Sequence, residues 1–190
     1  MGQRSQIYVR YGNKLVVANY YQWNFGERMI SRARYGIEYI KENLIQYKDY
    51  IFNNSYEMKR LGRIFDVNFD RKDVQMGQNI VQEWKEQFSD KKLFNDVVFK
   101  QQDNNDGKLF VDILKDGTIK YAFLDSECDI ENVMSANQYM DWNYKNWKKS
   151  KFIENEQKLL CINNIKAIKE MAELMTKEEV EDFIQCKYEI

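Results

Sequence analysis

Four carboxylates alternate along one short stretch of the chain: Asp125, Glu127, Asp129 and Glu131. If that stretch is extended, all four side chains leave the same face of the strand. Such a row could hold Mg²⁺ or imitate a line of phosphates. The plain alternative is a solvated acidic loop at the start of a helix, where the dipole favours acids. Residues 103–131 hold eight acids and three lysines, net −5. Within them, Asp103-Asn104-Asn105-Asp106-Gly107 has the composition of a calcium loop. It fails the spacing, because an EF-hand with its glycine at 107 needs a carboxylate at 102 and a Glu at 113, where Gln102 and Ile113 stand. A polar turn is the better reading.

The basic counterpart lies at the front. Residues 1–63 carry 11 Lys/Arg against 5 Asp/Glu, net +6, and residues 64–190 carry 18 against 25, net −7. Arg28 and Arg32 stand four apart on one helical face, with Arg34 to another side, and Arg4 and Arg10 precede them. Arginine suits planar bidentate partners, carboxylate or phosphate. Internal pairing with the acidic half is the competing account. A second basic region interleaves Tyr139, Trp142, Tyr144 and Trp147 with Lys145, Lys148, Lys149 and Lys151. Aromatics among lysines suit single-stranded nucleic acid and also protein hot spots. The helical spacing of Met140, Tyr144 and Trp147 suits plain core packing equally well.

Absences narrow the chemistry. The chain has no histidine and no proline. Ser-His-Asp and Cys-His mechanisms and His-containing zinc sites are therefore excluded within it. Ser5 with Lys14 as base is a weak nucleophile pair. Cys128, Cys161 and Cys186 form no CxxC spacing, and reduced thiols in a cytoplasm fit them best. No apolar run approaches the ~20 residues of a membrane span, no secretory leader pattern opens the chain, and Gln6 spoils the myristoylation pattern begun by Met1-Gly2. No cofactor is expected.

The elements that must position these groups read as α+β. Alternation over Ile7–Tyr11, a Gly12-Asn13 turn and an apolar Leu15–Trp23 run predict a hairpin covered on both faces, with Val9 opposite Val16 and Ile7 opposite Ala18. A helix capped by Asn24 follows, its stripe made of Ile30, Ala33, Ile37, Ile40, Leu44 and Tyr47. Further helices are predicted over 56–66 and 74–88. A three-strand meander is expected over 96–124, with Asp116-Gly117 turning its last hairpin and Phe110 opposite Phe123. Helices over 130–148 and 157–175 follow. The last helix opens with a Thr176/Glu179 capping box. The expectation is one domain of 190 residues: hairpin plus helices at 1–68, helix plus meander at 69–129, helical at 130–190. Its sheet joins the hairpin to the meander in antiparallel fashion.

Gly2-Gln3-Arg4-Ser5-Gln6-Ile7-Tyr8-Val9-Arg10, Ala18-Asn19-Tyr20-Tyr21-Gln22-Trp23-Asn24 and Gly26-Glu27-Arg28-Met29-Ile30-Ser31-Arg32-Ala33-Arg34-Tyr35-Gly36 resemble the N-termini of small accessory proteins encoded by phages and prophages of low-GC Gram-positive bacteria. The likeness covers roughly the first 40 residues. Some proteins of such regions are anti-CRISPRs or other inhibitors of host defence. The resemblance therefore implies an inhibitor whose partner is a host protein, most sharply a CRISPR effector nuclease, and the chain is expected to be cytoplasmic and non-enzymatic. The charge pattern supplies the expected contact: Asp125, Glu127, Asp129 and Glu131 could occupy a Lys- and Arg-lined nucleic-acid channel as a phosphate mimic. Nucleic-acid binding through Arg28, Arg32, Arg34, Trp142, Trp147, Lys148 and Lys149 is the second expectation. A metal-dependent phosphodiesterase or nickase is the third.

Overall fold

The computed structural model describes residues 2–88, 90–100 and 105–190. Strands β1 (Arg4–Tyr11) and β2 (Lys14–Gln22) form the opening hairpin, and α1 (Gly26–Tyr39) follows. Next come α2 (Lys48–Ile51), α3 (Ser55–Ile64), the short strands β3 (Val67–Asn68), β4 (Asp73–Val74) and β5 (Gln78–Asn79), and α4 (Ile80–Gln87). The second hairpin is β6 (Lys108–Ile113) with β7 (Ile119–Leu124). The remainder is α5 (Ala136–Asn143), α6 (Asn155–Met171), β8 (Glu173–Leu174) and α7 (Lys177–Gln185). The fold is α+β, with a mostly antiparallel sheet and a helical C-terminal part.

The main sheet has six strands in the order β5-β2-β1-β6-β7-β8, and β3 pairs with β4 apart from it. Its two hairpins meet along β1 and β6, which run parallel, as do β7 and β8. The sheet is buried on both faces, which explains why β2 is apolar on both sides. Ile7, Val9, Val17, Leu109, Val111, Tyr121 and Phe123 face α1, α3, α5 and α6. Tyr8, Ala18, Phe110, Ala122 and Leu124 face α4, α7 and the turn at Asp96–Lys100. On that second face Tyr8, Phe99, Phe110, Phe183 and Tyr188 form one aromatic cluster, with ring centroids 4.9–6.3 Å apart.

Both hairpin registers differ by one residue from the sequence expectation. Tyr11 pairs with Lys14 and Arg10 with Leu15, as a two-residue turn dictates, but a bulge then places Val9 opposite Val17 and Ile7 opposite Asn19. Val16 is the residue the bulge leaves over. In the second hairpin Ile113 pairs with Ile119 and Phe110 with Ala122. The connection is longer than Asp116-Gly117 alone: Leu114 and Thr118 close it, and Gly117 takes φ +96°, the left-handed residue of a three-residue loop.

The expected strand at 96–101 is absent. Asp96–Lys100 is a π-helical turn burying Val97, Val98 and Phe99 in succession, and Gln101 lies outside the described residues. Helix α1 is capped by Phe25 without a side-chain bond, because Asn24 is turned inward. The stripe buries Ile30 through Leu44, whereas Tyr47 is exposed. Helix 74–88 shrinks to α4, since Asn79 caps it through Gln82 N–H and Gly77 sits in the loop before it. Helix 130–148 breaks into a 3₁₀ turn at Ile130–Asn132, α5 behind a Ser135/Gln138 capping box, and another 3₁₀ turn at Trp147–Lys149. Helix α6 stops at Met171, where the chain extends into β8; it buries Cys161, Asn164 and Ile168 while Ile162 is exposed. The Thr176/Glu179 capping box is present as expected.

Candidate interaction surfaces

The acidic segment is a folded turn rather than an extended row. Beyond Leu124 the Asp125 Oδ1 accepts the Asp129 N–H at 3.1 Å, and Asp129 Oδ1 accepts the Glu131 N–H at 3.0 Å. Cys128 adopts φ +61° between them and is buried. These carboxylates satisfy backbone donors that the turn would otherwise leave open. The stretch is not extended, so the condition under which all four would share one face is not met. Glu127, Asp129 and Glu131 are nonetheless exposed, and Asp125 is half-buried.

Tertiary packing enlarges this acidic face. Helix α7 begins beside the 3₁₀ turn, where Glu131 bonds Lys177. Glu178 and Glu181 act on that same lysine and raise its pKa after the Glu131 bond. Glu131, Glu178 and Glu181 thus share one lysine, Lys177, at the end of the turn that also carries Asp125, Glu127 and Asp129. Beneath the turn, the side chain of Lys108 is buried and its Nζ donates to the Ser126 carbonyl at 2.7 Å. Burial lowers its pKa, against the opposing pull of Cys128, Asp125 and Glu127. Glu178 and Glu181 lie some fifty residues beyond the strip, and nothing in the local pattern links them to it.

Arg10, Arg28, Arg32 and Arg34 are engaged within the protein. Arg32 is 1% exposed. Its Nε donates to Asn24 Oδ1 at 2.8 Å, its Nη atoms to the Phe65 carbonyl and to Gln75 Oε1 at 3.3 Å, and its guanidinium lies 4.6 Å from the Tyr21 ring. Burial lowers its pKa. Arg28 pairs with Asp73 at 2.9 Å and Arg34 with Glu38 at 2.7 Å. Arg10 is buried on the sheet, paired to Asp112 and, at 2.8 Å, to Asp182, over the Phe183 ring. Arg32 is therefore withdrawn as a contact residue, and Arg28 and Arg34 have carboxylates of their own.

The aromatic-lysine segment divides. Tyr139 is buried, stacked 4.5 Å from Phe123 and bonded to the Asp106 carbonyl at 2.6 Å. Trp147 is buried and so is withdrawn as a contact; it anchors a loop whose Asn146 takes φ +53°. Trp142 is 37% exposed beside Tyr139. Lys145, Lys148, Lys149 and Lys151 are exposed, and Phe152 is 92% exposed.

Sequence reasoning missed a polar cluster at the start of α1. Glu27 accepts the Tyr144 hydroxyl at 3.0 Å and Arg71 at 3.0 Å. Asp70 accepts the Tyr35 hydroxyl at 3.1 Å and Asn164 at 2.7 Å. Its members come from four separate stretches of chain, and no spacing announces them. Of the calcium-like loop, Asp103 and Asn104 lie outside the described residues. Asn105 and Asp106 accept the Arg4 backbone N–H at 3.0 and 2.8 Å, which is turn chemistry. Among the described residues, no three His, Cys, Asp or Glu side chains converge to hold a metal ion, and no helix is long and apolar enough to cross a membrane. No family model, curated protein or solved structure matches the chain.

Proposed function

We propose that the chain is a phage- or prophage-encoded inhibitor that works in the host cytoplasm by binding a defence protein, without catalysis of its own. In its sharpest form it blocks a nucleic-acid-guided nuclease. Such nucleases hold nucleic acid in positively charged channels, and a compact acidic face would compete for one. The observation that carries this reading is the joining of the 125–131 turn to Glu178 and Glu181 around a single lysine. Complementary charge of this kind speeds encounter and selects a basic partner.

The test separates surface charge from fold. Asp125 and Asp129 hold the turn together, so their reversal confounds the two. Glu127 and Glu178 are exposed, and neither has an ion pair or a hydrogen bond to a distant segment among the described residues. The chain is titrated into a cleavage reaction of a guide-loaded nuclease, beside the double variant Glu127→Lys/Glu178→Lys. The expected result is dose-dependent inhibition that the variant loses by about tenfold or more, as for close charge pairs at interfaces. Equal potency of the two proteins would refute the acidic-face mechanism.

A second reading, nucleic-acid binding, keeps one favouring observation: Trp142 and Phe152 stand exposed among Lys145, Lys148, Lys149 and Lys151. It is narrowed to this segment, the arginines having internal partners. The same titration, followed by gel shift at two salt concentrations, decides it, because phosphate contacts weaken steeply with salt. The phosphodiesterase reading lacks a ligand set among the described residues.

A further inference from the structure

The outer edge of β2 is covered only in part. Strand β5 pairs with it at Asn19 and Tyr20 and stops there. Beyond them, Leu15–Ala18 have no strand on that side among the described residues, so part of their backbone hydrogen-bonding capacity is open. An unpaired edge is a template for another strand. Here the edge is recessed. Helix α3 packs on one face of the sheet and α4 on the other, and both stand beyond β2 as walls. The result is a groove of about 470 Å³ with Leu15–Asn19 as its floor.

One wall is a single face of α3: Ser55, Met58, Lys59, Gly62 and Arg63, at helical spacing. The other wall is Val81, Gln82 and Lys85 of α4. Gly62 leaves that stretch of the wall low, since a Cβ there would meet only the Asn19 amide, at 3.9 Å. The charge of the groove is one-sided. Lys59, Arg63 and Lys85 are exposed, and none has an ion pair among the described residues. The one carboxylate lining the groove, Asp66, is buried and already bonded to the Tyr21 hydroxyl and the Gly77 N–H, each at 2.9 Å.

We infer that this groove accepts an extended acidic segment of a partner protein as an added strand on β2. Main-chain hydrogen bonds to Leu15–Ala18 would supply affinity, and the walls would read alternate side chains. The spacing agrees. Lys59 and Arg63 lie about 6 Å apart along the helix axis, and alternate residues of a strand about 6.7 Å apart. With the added strand running along α3, acids at every second position would meet both cations, while the side chains between them would meet Val81 and Lys85. The Val16 bulge adds local twist against unlimited pairing.

The experiment uses the full chain and a short fluorescein-labelled peptide of alternating Asp and Val, read by anisotropy. Two further peptides carry N-methyl groups on one or the other set of alternate amides. Strand addition uses only alternate amides, so one methylated peptide should bind like the parent and the other should lose binding. Lys59→Glu/Arg63→Glu, at exposed positions, should weaken the parent peptide by about tenfold or more, in the range of close interfacial charge pairs. A peptide of alternating Lys and Val should not bind. Amides of Leu15–Ala18 should gain protection from hydrogen exchange. Glu127→Lys/Glu178→Lys should bind the peptide normally, which keeps this outcome separate from that of the acidic face. Failure of the acidic peptide to bind, equal binding of both methylated peptides, or light scattering showing a dimer closed through this edge would overturn the inference.

Discussion

Replacing Arg32 tests whether the basic front is scaffold or contact surface. Its guanidinium is buried, with three side-chain or carbonyl acceptors and the Tyr21 ring around it. Arg32→Ala leaves Asn24 Oδ1 and the Phe65 carbonyl without their donor and opens a cavity between α1 and the hairpin. A hydrogen bond to a charged group contributes about 1.5–3 kcal/mol, and stacking of the cation on an aromatic face about 0.5–2 kcal/mol. Relief of the guanidinium's desolvation offsets part of that, so the expected loss is about 3–5 kcal/mol from the three bonds and the ring contact together. For a chain of this size that lowers Tm by about 6–20 °C. Arg32→Lys should fall between, since a point charge cannot serve three acceptors spread around a planar fork. Arg34→Ala is the control: its partner is one turn away on the same helix, and the loss should be about 0.3–0.5 kcal/mol. Urea unfolding followed by circular dichroism measures all three. A loss below about 1 kcal/mol for Arg32→Ala, less than one hydrogen bond to a charged group contributes, would show that these bonds do not hold the fold and return Arg32 to the list of contact residues.

Two more outcomes follow from packing and burial. An ideal Cβ on Gly36 would sit 2.2 Å from the buried Phe65 ring. Gly36→Ala should therefore lose about 1–2 kcal/mol, overpacking outweighing the gain of about 1 kcal/mol in helix propensity, and Phe65→Leu in the same chain should recover part of it. Burial raises the phenol pKa of Tyr8, Tyr21, Tyr139, Tyr144 and Tyr188. An acid whose folded pKa is raised contributes stability that is intact below the unfolded value, about 10, and is lost as pH rises above it. Each such phenol removes up to about 1.4 kcal/mol per pH unit. Lys108 has the opposite sign but is one group. Tyrosinate absorbance should show these five phenols ionising in one cooperative step as the protein unfolds. Smooth, independent titration of all thirteen would refute the burial.

Elements governed by local chemistry were legible in the sequence. Gly12-Asn13 turned the first hairpin, and Thr176 with Glu179 opened α7. Each rests on a few adjacent residues whose donors and acceptors meet within one turn. The errors arose where another part of the chain intervenes. Asn24 looks like a cap but serves Arg32 and Ser5. Val97, Val98 and Phe99 have strand composition, yet the aromatic cluster around Tyr8 takes them from a helical turn. Trp147 has the composition of a contact residue, and packing removes it from the surface.

The charge asymmetry marks the division most clearly. Sequence alone established a basic front, an acidic remainder and the absence of histidine chemistry, because those depend only on which residues are present. Which charges remain available was decided by tertiary structure. Arg10 and Arg28 found Asp112, Asp182 and Asp73 across the fold, Arg32 was buried, and α7 brought Glu178 and Glu181 up to the 125–131 turn. A charge is neutralised by what lies a few ångströms away, and in a folded chain those neighbours are often a hundred residues distant.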